Sequence, residues 1–327
     1  MTPANRTAPS TLPSRAAALA LGACAAVGTG PAAAADPETC ATVRFSDVGW
    51  TDITATTALA STVLDALGYF SDAQVLSVPV TYASMENGDI DVFLGNWMPT
   101  MEADIAPYRE KGTVETLRAN LEGAKYTLAA NKAAADLGIG DFGDIAGHAE
   151  ALEGKIYGIE PGNDGNRLIM DMIEADAFGL GAAEFEVVES SEQGMLAQVE
   201  RASDRDEPIV FLGWEPHPMN ANFELTYLTG GDDYFGPDLG GATVYTNTRA
   251  GLVEDCANLG TLLNNMVFSL EMENEIMGAI LNDGADPQDA ARAWMSENTD
   301  TVMGWLDGVT TFDGGDAQAA MSEALRG

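Results

Sequence analysis

The sequence predicts an α/β protein in two lobes, each a sheet flanked by helices. Three observations carry this. The chain has 327 residues, 46% of them apolar, which is long for one core and comfortable for two. Short β-like runs alternate with helix-like runs over most of its length, the pattern of parallel strands joined by crossover helices. One strand is echoed: Asp91-Val-Phe-Leu-Gly-Asn-Trp-Met-Pro99 resembles Ile209-Val-Phe-Leu-Gly-Trp-Glu-Pro216. Two hydrophobic strands can match by chance; the alternative is two like lobes, each presenting a tryptophan at a strand's carboxyl end, where open α/β sheets bind ligands.

The elements follow in order. Ala41–Val48 reads as a strand and Asp52–Leu67 as a helix with Asp or Thr near its start. Val75–Val80 and Asp91–Gly95 read as strands. Lys155–Glu160 is a strand followed by a helix from about Gly165 to Phe178, and Phe185–Val188 a strand followed by a helix near Glu192–Ser203. Pro208–Gly213 and Leu225–Leu228 read as strands. From Arg249 the pattern is almost all helical, with amphipathic stretches at 250–281 and 287–307.

Residues 1–35 read as a secretory signal peptide. Arg6 and Arg15 precede an uncharged stretch from Ala16 to Gly30, and an A-x-A site ends at Ala35. Export to the periplasm follows. Leu21-Gly22-Ala23-Cys24 also resembles a lipobox, which would anchor the chain through a lipidated Cys24. Setting Cys24 aside leaves Cys40 and Cys256. Two cysteines in an exported chain suggest one disulfide, tying the mature N-terminus to the C-terminal third.

Charge narrows the function. Fifteen Lys and Arg face 51 Asp and Glu, a net charge of −36. Such a surface repels nucleic acid and anionic membranes. Gly138-Ile-Gly140-Asp-Phe-Gly143 matches G-x-G-x-x-G, but no strand precedes it and Asp141 and Asp144 would repel a pyrophosphate; it reads as a turn-rich loop. Walker A and nucleophile-elbow sequences are absent, as are His/Cys zinc signatures, His148 and His217 being the only histidines. No cofactor or metal is expected, and an enzyme is disfavoured.

The aromatics are more informative. Trp294 and Trp305 are eleven apart in the helical region and read as core. Trp50, Trp97 and Trp214 each follow a predicted strand, with Gly49, Gly95 and Gly213 one or two residues ahead to permit a sharp exit. Aromatic faces around one point recognise a cation, above all a quaternary ammonium, which has no N–H to donate. Asp52, two residues after Trp50, adds a counter-charge or caps its helix.

Five segments together resemble a known family: Val48-Gly-Trp-Thr-Asp52, Leu94-Gly-Asn-Trp-Met-Pro99, Gly123-Ala-Lys-Tyr126, Gly158-Ile-Glu-Pro-Gly-Asn163 and Leu212-Gly-Trp-Glu-Pro-His-Pro218. They are similar to the periplasmic choline-binding members of the glycine betaine/choline substrate-binding proteins of ABC importers, and the likeness runs over residues 36–327. It implies a type II periplasmic binding protein that closes on its ligand like a flytrap. Lobe one is expected over 36–125 and 243–327, lobe two over 126–242. Trp50, Trp97, Tyr126 and Trp214 match the family's aromatic box around trimethylammonium, Asp52 the acid beside it, and Asn163 the polar residue that with the acid reaches the ligand hydroxyl. Read alone, Tyr126 is an ordinary strand tyrosine and Asn163 a turn or N-cap residue. Cys40 and Cys256 also match a family disulfide. The resemblance implies a monomer that captures choline for a permease and its ATPase. A glycine betaine receptor of the same fold is the alternative, and an exported enzyme on choline esters a remoter one.

Overall fold

The computed structural model describes residues 35–326. The expected leader, save Ala35, and Cys24 lie outside the described residues. Nine strands share one mixed sheet: β1 (Thr42–Asp47), β2 (Phe70–Val75), β3 (Val92–Met98), β4 (Val114–Asn131), β5 (Lys155–Tyr157), β6 (Glu186–Val188), β7 (Val210–Glu215), β8 (Leu225–Tyr227) and β9 (Gly241–Arg249). Their order is β2-β1-β3-β9-β4-β7-β5-β6, with β8 beside β4.

The α/β class expected from the sequence is present, but the sheet is not simply parallel. β2, β1 and β3 run parallel, as do β6, β5 and β7. Between these sets stand β9 and β4, antiparallel to each other and to their neighbours. The 18-residue β4 serves both sides: Val114 to Lys125 pairs with β9, and Lys125 to Ala130 pairs with β7. The sequence gives neither strand bounds, beyond Tyr126 reading alone as a strand residue. β4 carries Glu115, Arg118, Glu122 and Lys125, which break the apolar run by which buried strands are recognised.

Other boundaries move. Val75–Val80, expected as a strand, is the end of β2 and the start of the helix Val78–Asn87. Closely spaced valines imitate a β-run, but Pro79 in the first helical turn has no ladder N–H to give and suits a helix start. The Gly138–Gly143 segment holds a capping box, in which Asp141 and Asp144 open the short helix Phe142–Ile145. Trp294 and Trp305 lie on separate helices, Pro287–Glu297 and Thr299–Trp305, yet their rings stack with centroids 6.4 Å apart. Trp305 is buried, as a core reading requires, whereas Trp294 is half-buried and donates its indole N–H to Glu275 at 2.8 Å.

Cys40 and Cys256 form a disulfide. Beside it, buried Asp36 accepts from the Asn258 and Leu259 amides at 2.8 and 2.9 Å and from the Tyr69 hydroxyl at 2.9 Å. These contacts hold the start of the described chain against the helix Ala257–Asn265. Among the described residues no helix is long and apolar enough to cross a membrane.

Candidate functional site

The carboxyl ends of β1, β3 and β7 and one stretch of β4 converge on a small cavity lined by Trp50, Asp52, Trp97, Tyr126, Ile159, Asn163, Asp164 and Trp214. All six residues singled out from the sequence are therefore brought together. Their local origins differ from expectation. Only Trp50 stands in a strand-to-helix loop; Trp97 lies within β3 and Trp214 within β7.

The glycines differ too. Gly49 has φ +81°, as a sharp exit requires. Gly95 sits inside β3, where a Cβ would meet the Ile53 side chain at 2.7 Å. Its job is to let the helix Thr51–Ala66 approach the strand. Gly213 does the same for Ala129, at 2.8 Å.

The rings form a box. Tyr126 meets Trp97 edge to face at 6.1 Å and Trp214 at 6.2 Å, with interplanar angles of 63° and 79°, the arrangement that ring quadrupoles favour. All four aromatic residues are buried. Three of the four polar edges have a partner, which fixes the ring. Trp50 Nε1 donates to Glu160 at 2.9 Å, Trp97 Nε1 to Asp52 at 3.2 Å, and the Tyr126 hydroxyl to Asn163 at 2.9 Å. Tyr126 needs the glycine at 165, because a Cβ there would fall 2.1 Å from its hydroxyl oxygen.

Asn163 is a helix cap, as its reading alone suggested, and it also faces the cavity. As the N-cap of the helix Asp164–Glu174 it accepts from the Asn166 amide at 3.1 Å. With its Oδ1 taken by Asn166 and Tyr126, its amide group donates to Asp164 at 3.2 Å and keeps a second N–H. Asp52 does not cap its helix: the N-cap is Trp50, and no side chain caps it. Oδ2 of Asp52 accepts from Trp97, while buried Oδ1 has no hydrogen-bond partner among the described residues.

Acids crowd this site. Burial, then the Glu192 charge, pushes the Asp52 carboxyl up to about 8. Burial also pushes Glu160 up to about 7 and Asp164 to about 6. Buried Glu273, on the helix Leu270–Leu281, is pushed well above its ordinary range by burial and then by Asp52. A low-dielectric pocket ringed with carboxyl groups whose charge is suppressed stabilises an arriving cation, which restores the ionised form.

Contacts also join elements from opposite ends of the strand order. Besides Trp50–Glu160, Arg167 grips Asp104 with two bonds of 2.8 Å. Glu192, which opens the helix Glu192–Asp204 after β6, accepts from the Thr51 amide at 2.9 Å. Sequence reading missed Ile159, Glu160, Asp164, Glu192 and Glu273. Glu160 was visible inside the Gly158–Asn163 segment; nothing in the sequence distinguishes Glu192 or Glu273 from 49 other acids.

The family described as the substrate binding domain of the ABC-type glycine betaine transport system (OpuAC) matches residues 41–297. A solved ABC-transporter choline binding protein in complex with choline is 69% identical, with a TM-score of 0.87 over 89% of this chain and 100% of its own. The unliganded semi-closed conformation of an ABC-transporter choline binding protein, also 69% identical, gives 0.81 over 88% and 99%. The glycine betaine/carnitine transport binding protein GbuC of Listeria monocytogenes is 35% identical over 125 residues, 38% of this chain and 40% of that protein.

Proposed function

Because the chain belongs to the family of substrate binding domains of ABC-type glycine betaine transport systems, we propose that it captures choline outside the cytoplasm and delivers it to a membrane permease driven by an ATPase. The observation that carries this reading is the cavity itself, in which three tryptophans and a tyrosine surround a space beside a buried carboxyl with one free oxygen. A trimethylammonium cannot be satisfied by acceptors, but four ring faces hold it at ~0.5–2 kcal/mol each.

The other end of choline is a hydroxyl, both donor and acceptor. Asp52 Oδ1 takes its hydrogen, and the second Asn163 N–H donates to its oxygen. A glycine betaine carboxylate would instead face Asp52 and Asp164, so choline is preferred. With about seven heavy atoms at ~1.5 kcal/mol each, choline binding has a ceiling near ~10 kcal/mol, a dissociation constant of tens of nanomolar.

Closure gives the capture step. Residues 36–125 with 243–327 form one lobe and 126–242 the other, with β4 and β9 as the connection on which they turn. Trp50, Asp52 and Trp97 belong to the first lobe, Asn163 and Trp214 to the second, and Tyr126 stands where β4 changes partner from β9 to β7. A cation touching both lobes favours the closed state, which the permease reads. Cleavage after Ala35 would leave Asp36 free to keep its contacts; lipidation of Cys24 is the alternative anchor.

Calorimetric titration of the protein with choline and, separately, glycine betaine tests the proposal. Tight choline binding with weak betaine supports the box and the role of Asp52. Betaine binding more tightly would overturn the reading of the acid, and binding of neither would overturn the trimethylammonium site. Acid release from choline esters would point to the enzyme instead.

A further inference from the structure

One buried carboxylate outside the cavity lining touches both walls of the site. Glu192 Oε2 accepts from the Thr51 amide at 2.9 Å, and Oε1 accepts from the Thr51 hydroxyl. Oε1 also lies 3.3 Å from His217 Nε2. His217 Nδ1 accepts from the Met219 amide at 3.0 Å, which leaves Nε2 as the donor to Glu192. Thr51, Glu192 and His217 are all at most 3% exposed.

The connections of these partners matter. Thr51 stands between Trp50 and Asp52 and opens the helix Thr51–Ala66. The His217 ring packs edge to face on Trp214 with centroids 5.0 Å apart. Asn220 ties that wall further, donating to the Trp214 and His217 carbonyls at 2.9 Å each. β1, which leads into Thr51, and β6, which leads into Glu192, lie near opposite ends of the strand order. The residues that follow their carboxyl ends meet in the Thr51–Glu192 contact. The first amide of the helix Thr51–Ala66 thus points at this carboxyl group.

We propose that Glu192 is a positioning residue for cation capture: through Thr51 and His217 it fastens the Trp50–Asp52 corner to the Trp214 wall and so holds the closed site shut around its ligand. The inference rests on the cavity being a trimethylammonium site. Three donors converge on one carboxylate. Glu192→Gln keeps the volume but offers one oxygen and an amide N–H₂, so at least one of the three faces another donor. A latch made on closing acts on release, not on encounter.

Stopped-flow tryptophan fluorescence with choline separates the two rates, and circular dichroism checks the fold of each variant. Glu192→Gln is expected to release choline about tenfold faster or more, with association within about twofold of the native rate. Thr51→Val, which removes only the hydroxyl donor, should accelerate release less, and it carries the test if Glu192→Gln does not fold. Small-angle scattering should show choline-saturated Glu192→Gln more expanded than the saturated native protein. Unchanged release from a folded Glu192→Gln, or Thr51→Val if that is the folded variant, overturns the latch alone. A loss confined to association also overturns it. Failure of the native protein to bind choline overturns both the latch and the reading beneath it.

Discussion

Lowering the pH from about 8 to about 6 should weaken choline binding about 50-fold, and the reason is a single buried acid. Asp52 holds its proton up to about 8 in the ligand-free site, because burial and the Glu192 charge both disfavour its carboxylate. A trimethylammonium favours the carboxylate, so capture expels the proton. Below the free value, each cation bound releases about one proton, and affinity changes about tenfold per pH unit. A free value near 8 and a bound value below 6 give a factor of about 50 between those pH values and only about twofold more above pH 8. Glu160, Asp164 and Glu273 are shifted in the same direction and act with the same sign. Calorimetry in two buffers of different ionisation enthalpy gives both the dissociation constant and the protons released. Asp52→Asn should bind choline more weakly with a flatter profile. Equal affinity at pH 6 and 8 in the native protein, or the native slope retained in Asp52→Asn, would refute the reasoning.

Other expectations share this structure. Asp52→Asn should also narrow the gap between choline and glycine betaine, read by competition titration; unchanged selectivity would remove the acid from the specificity argument. Gly165→Ala should displace Tyr126 from the box, since its Cβ would fall 2.1 Å from the phenol oxygen, and should weaken choline about 3- to 30-fold through loss of one ring face; native affinity there would mean the ring is not a wall of the site. Stability should follow the raised acids. Asp52 moves from 3.8 to about 8 on folding, so its favourable contribution is complete below about pH 4 and is lost as pH rises through about 8. The ligand-free melting temperature should fall between pH 5 and 9, and saturating choline should narrow that fall; a melting temperature rising with pH would contradict the sign. Replacing Cys40 and Cys256 by serine, which opens a loop of 216 residues, should destabilise the protein by about 2–5 kcal/mol in denaturant titration, and reductant should reproduce the loss.

The sequence by itself determined the local facts. Composition and alternation gave an α/β chain, and five short segments indicated the family and all six candidate site residues. Tryptophan is rare enough, five in 327 residues, to be informative, so Trp50, Trp97 and Trp214 were legible in the sequence. What it could not give was anything that depends on distant parts of the chain meeting. β4 had no legible bounds because it mixes charged with apolar residues, and β9, with Thr243, Thr246, Asn247 and Thr248 among few apolar residues, shows no apolar run either. Gly95 and Gly213 looked like turn residues; only the packed structure reveals that Ile53 and Ala129 press against them. Glu192 and Glu273 were two acids among 51, marked by no local motif. Their importance lies in burial, in neighbours more than a hundred residues away in one case and more than two hundred in the other, and in a low dielectric. Those are properties of the folded chain, because a carboxyl group changes its chemistry only when the fold removes water from it and sets another charge beside it.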